Sequence, residues 1–222
     1  MTLNRMQDQL QQIYDLPTSH HIQDFLITSN IELSQVEGEL KSRHSDEKLL
    51  VHQSDNELLV SLFIAEDLLQ KLESDNPYKN LNQNNIADFC TVLEGVSHFL
   101  YLTWNAGHDR SVSQLELELQ AEVDKFISIY NLLKMQGNLV RPTVLMQWLF
   151  ENCRFAANLD ANELDRYQTA NQLAHRFCQH IVAFMGSTHN QGKAYRQLRR
   201  FYRRRHLHKL EGIRNDEYLV GP

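Results

Sequence analysis

Glycine, proline and cysteine are all scarce in this 222-residue chain, with eight, four and three copies. So few turn-formers exclude collagen-like and loop-rich scaffolds and favour long helices joined by short links. Cys90, Cys153 and Cys178 are far apart and form no CxxC pair. That excludes a disulfide framework, a zinc knuckle and a thioredoxin-type motif. An odd, sparse set of thiols in apolar helical contexts reads as buried and structural, in a reducing cytoplasm. No hydrophobic run approaches the roughly 18 residues of a membrane span, and mean hydropathy is -0.48. The opening segment, Met1 to Pro17, is too polar for a secretory leader. The phosphate loop, the dinucleotide fingerprint, HExxH and GxSxG are all missing. His108-Asp109 matches the core of an HD-type metal motif but lacks supporting histidines at helical spacing.

What is present is 42% hydrophobic and 23% charged residues, enough for a sizeable core. The expected fold is mainly α. An antiparallel bundle of about five helices occupies 83–222, and a helix with a small β-hairpin occupies 1–82 and packs on it. Leu3, Met6, Leu10 and Ile13 recur at helical spacing over 2–15, and Pro17 is the expected stop. Residues 20–41 fit neither period. Two β-rich runs, Lys48–His52 and Glu57–Ile64, flank a polar turn at 54–56 and predict a hairpin, followed by a helix at 66–73. Five helices are then predicted, over about 84–105, 112–135, 142–158, 161–186 and 190–214. Ser113 with Glu116 fits a capping box. Gly107 suits a left-handed helix end, Gly137 ends the next helix, and Pro142 suits a first helical turn.

Two features point toward function. The first is a polar constellation. Glu94 and His98 stand four apart, as do Glu118 and Glu122 on the next helix, each pair on one face beside a core stripe. An antiparallel pairing would bring the four together, and His175 on a later helix could join them, with Tyr101 and Tyr167 contributing hydroxyls. Carboxylates and imidazoles from facing helices are the makings of a metal site for Fe, Mn or Zn. Such a site would make the chain a metal-dependent helical enzyme. The two-ion pattern of helical carboxylate proteins repeats Glu-x-x-His on two helices; this chain offers Glu-x-x-x-His once. Glu118 and Glu122 could instead pair with Lys125 or with arginines of the last helix.

The second feature is charge asymmetry. Residues 190–214 hold nine bases and one acid, a balance of +8, while the rest of the chain carries -14. Arginine forks suit phosphates and carboxylates. Arg199, Arg200, Arg203 and Arg204 are therefore expected to contact an acidic protein or nucleic acid, or else the chain's own acidic body. Arg199 or Arg200 followed by His206 resembles the arginine-then-histidine signature of helical HEPN-type ribonucleases, over that one helix alone. The leading expectation is a cytoplasmic binding or regulatory protein that works through these arginines. The metal-dependent enzyme is the alternative.

Overall fold

A computed structural model of the chain describes residues 1–17, 20–37, 45–54, 57–138, 140–153, 155, 159–185 and 191–215, except the side chains of His206 and Leu207. The tip of the hairpin at 55–56 and the end of the predicted helix at 156–158 lie outside them.

The fold is mainly helical with one small sheet. Helix α1 (Thr2–Tyr14) buries Leu3, Met6, Leu10 and Ile13, the stripe visible in the sequence. It stops at Asp15, which turns left-handed at φ 54°, two residues before Pro17. A short 3-10 turn (Ile22–Phe25), strand β1 (Leu26–Ile27) and α2 (Asn30–Glu37) make up the described part of the ambiguous stretch, whose residues 38–41 lie outside the described residues. The hairpin is β2 (Glu47–Gln53) and β3 (Leu58–Ile64), antiparallel with Glu47 opposite Ile64 and Leu50 opposite Ser61. β1 pairs parallel with β3, so the order is β1-β3-β2 and β2 is an edge. The buried end of β3, Leu62 to Ile64, anchors the sheet, and α3 (Glu66–Ser74) follows.

Six helices occupy the C-terminal part, among the described residues: α4 (Ile86–Ala106), α5 (Gln114–Met135), α6 (Pro142–Glu151), α7 (Ala161–Met185), α8 (Gln191–Arg203) and α9 (His206–Arg214). Ser113 and Glu116 form the predicted capping box on α5, and Gly137 is left-handed at φ 78°. Gly107 keeps a right-handed φ of -64°; the left-handed residue after α4 is Asp109. The predicted basic helix over 190–214 is two helices. The chain turns at Arg204 and Arg205, which lets α9 aim Lys209 into the interior, where it has no exposure. Of the three cysteines only Cys178 is buried. Cys90 is half-buried and Cys153 is exposed just past the end of α6.

One continuous core runs from Leu3 on α1 to Ile213 on α9. α4 and α5 run antiparallel along its centre, for Tyr101 meets Glu116, Ser97 meets Asp124 and Glu94 meets Lys125. The seam splits the polar residues between two sides. On one, Asp124 accepts from Tyr14, from Ser97 at 2.6 Å and from Gln120 at 2.9 Å. Lys209 joins this network by donating to Tyr101 Oη at 2.9 Å and Gln120 Oε1 at 3.2 Å. Glu94, His98 and Lys125 belong to a second cluster. Among the described residues no helix is long and apolar enough to cross a membrane.

Candidate metal centre

Glu94 and His98 lie one turn apart on α4, with Gly95 between them. A Cβ built at Gly95 would meet Glu47 Cγ at 2.7 Å and Glu47 Oε1 at 2.8 Å. The missing side chain is what lets Glu47, at the start of β2, lie across the backbone of α4 and enter the cluster. Ligand atoms of Glu47, Glu94 and His98 all fall within 4.8 Å of one another. Tetrahedral ligands at about 2.1 Å from an ion stand roughly 3.4 Å apart, so side-chain adjustments on the ångström scale would close this group around a cation.

The imidazole of His98 is held between two carboxylates. Nδ1 is 3.9 Å from Glu47 Oε1, and Nε2 is 3.5 Å from Glu118 Oε2. Neither Glu47 Oε1 nor His98 Nε2 has a hydrogen-bond partner, although His98 is only 7% exposed. Glu118 also faces Arg166 Nε of α7 at 3.5 Å. Lys125 donates to Glu94 Oε2 at 2.6 Å and to Glu122 Oε1 at 2.8 Å.

The electrostatics follow from burial and crowding. Burial pushes the Glu47 carboxyl well above the carboxylate range, against the pull of His98. For Glu94, burial works upward, but the Lys125 ammonium and then His98 outweigh it and hold the group below its ordinary value. Burial works against charge on His98, yet the adjoining Glu118, Glu47 and Glu94 carboxylates lift it to about 9. Burial raises the Tyr167 hydroxyl, and the charges of Glu118, Glu94 and Glu47 raise it further. With Glu47 ionised and His98 neutral, as ligation requires, four carboxylates would face two permanent cations, Lys125 and Arg166, and a divalent cation would balance the remaining two charges.

The structure thus brings together four of the five residues expected at the site, in different relations from those expected. Glu94 and His98 share the ligand group. Glu118 stands on the opposite side of the imidazole from Glu47, and Glu122 is engaged by Lys125. His175 lies elsewhere: it stacks on Phe150 at 5.4 Å and contacts Gln179. Its position on α7 turns it toward α6. Tyr101 belongs to the Lys209 network on the other side of the seam. Glu47 was missed, because an acid opening a strand carries no ligand signal. Gly95 was the visible hint, since a lone glycine within an apolar helical pattern marks close approach of another group.

The arginines divide. Arg199 donates to the carbonyls of Ile13 at 3.0 Å and Gln12 at 3.2 Å, and Arg203 to that of Asp15 at 2.9 Å. Both therefore close the C-terminal end of α1. Arg204 donates to the His208 carbonyl at 3.3 Å, beside a surface hollow lined with Arg205, His208 and Glu211. Arg200 is exposed. The His206 side chain, needed for the ribonuclease-like pattern, lies outside the described residues.

Compared with known proteins, the chain matches no family model, no curated protein and no solved structure.

Proposed function

We propose that this chain is a metal-dependent helical protein whose centre binds a divalent cation through Glu47, Glu94 and His98. The observation that carries the reading is the convergence of these three ligand atoms within 4.8 Å, from two half-buried carboxylates and one buried imidazole. Glu118 acts on the far nitrogen of the imidazole, as a carboxylate that fixes ring orientation and raises ligand basicity. Two carboxylates with one imidazole suit Mn, Fe or Zn. An ion held by three protein groups keeps positions open for water or a substrate oxygen, and so can serve as the Lewis acid of an enzyme. This reading takes precedence over an acidic-partner surface because Arg199 and Arg203 are engaged by α1.

Calorimetric titration of the metal-stripped chain with Mn2+, Zn2+ and anaerobic Fe2+ tests it. At least one ion should bind, and Glu47→Gln with His98→Ala should abolish that binding. Glu118→Gln should weaken it about 10- to 100-fold, the range for partners of a liganding imidazole. His175→Ala should leave it unchanged. Binding that survives the Glu47→Gln, His98→Ala double variant would sink the proposal.

A further inference from the structure

Lys125 bridges Glu94 and Glu122 across the seam between α4 and α5. Its ammonium lies 2.6 Å from Glu94 Oε2 on α4 and 2.8 Å from Glu122 Oε1 on α5, and its side chain is only 14% exposed. Glu94 is shared, because its carboxylate also belongs to the ligand group with Glu47 and His98. In two-ion carboxylate centres the ions stand about 3.5–4 Å apart, and each lies beside a helix that contributes Glu-x-x-His. Here the facing helix carries Glu122-x-x-Lys125. The spacing is the same, i and i+3, but an amine that is itself a cation replaces the imidazole that would ligate one.

We propose that Lys125 is a built-in second cation: its ammonium fills the place between Glu94 and Glu122 that a second divalent ion would take, so the centre holds one ion. The inference rests on the metal reading above. Formal charge supports it. Once an ion has displaced the protons of Glu47 and His98, one dication with Lys125 and Arg166 balances the four carboxylates of Glu47, Glu94, Glu118 and Glu122. A second dication would leave the cluster two charges positive, in a space where uncompensated charge is costly. It would also have to break two short, buried, charge-assisted hydrogen bonds. The chain is therefore set up for single-ion Lewis-acid chemistry. A two-ion clamp on attacking and leaving oxygens would need the position that Lys125 holds.

The test is Mn2+ stoichiometry, with electron paramagnetic resonance, on the full chain and on Lys125→His and Lys125→Gln. All three are purified with Mn2+ present, because the ion supplies charge that the substitutions remove. The wild type should bind one Mn2+ with an uncoupled six-line signal. Lys125→His, and Lys125→Gln if the histidine variant does not fold, should bind two with a spin-coupled signal. Adding Glu122→Gln should return the count to one. A wild type that binds two ions overturns the inference, and so does a folded Lys125 variant that still binds one. A wild type that binds none overturns the metal reading and this inference with it.

Discussion

Lys209 is a lysine with no exposure, far from its ordinary solvated environment. Its ammonium lies 4.3 Å from the ring centres of Tyr101 and Phe201. Burial pushes it down to about 7, with Glu116 and Asp124 pulling the other way. The folded chain thus sheds a proton that the unfolded chain keeps up to about pH 10.4. The resulting cost is full below pH 7 and fades as pH rises toward 10. Lys209→Met should therefore gain stability on the wild type at pH 6 and lose the gain by pH 10, where a neutral amine still serves Gln120 and Tyr101. Urea unfolding across that range checks this, and a gap that does not vary with pH would refute it. The residues of the candidate metal centre were more legible than Lys209. Spacing of four put Glu94 with His98 and Glu118 with Glu122, because helical periodicity is local. Glu47 and Arg166 were illegible because only tertiary packing brings a strand and a distant helix to them.

Among the elements, α8 against α1 shows what an arginine-rich face can do within a chain. α1 has no basic residue in its last turn, and its terminal carbonyls are orphaned by helix geometry. Arg199 and Arg203 supply the missing cations from α8, and Tyr14 stacks on Tyr202 at 4.3 Å. Cations near a helix C-terminus stabilise it by about 0.3–1 kcal/mol each, before any hydrogen bond is counted. Arg199→Ala should cost roughly 1 kcal/mol or more, whereas exposed Arg200→Ala should stay within about 0.5 kcal/mol. Equal losses in chemical denaturation would contradict this division. Hydrophobic period predicted α4, α5, α7 and the hairpin to within a few residues. It could not show the break at Arg204 and Arg205, because the basic face continues across it.

For the whole molecule, the proposed metal site would link pH to metal binding through His98. Its folded value of about 9 lies above the ordinary 6.5. The stability it contributes is complete below pH 6.5 and is lost as pH rises through 9. Over the same interval protons leave the ligands and stop competing with an ion. The rise in melting temperature given by Mn2+ should therefore be larger at pH 8.5 than at pH 6. At 100 times Kd, binding contributes about 2.7 kcal/mol, or roughly 5–10 °C for a chain of this size. Scanning fluorimetry with Mn2+ and with chelator measures it, and an increment that shrinks with rising pH would contradict the linkage.

The contact between Arg199 and Ile13 joins residues 186 positions apart. A ribosome adding about 5–20 residues per second would therefore make the first helix roughly 10–40 s before the helix that closes its end. Throughout that interval Tyr14 lacks its ring partner and the last carbonyls of α1 must rely on water. Helix α1 is thus made well before α8 and is completed only when α8 packs on it.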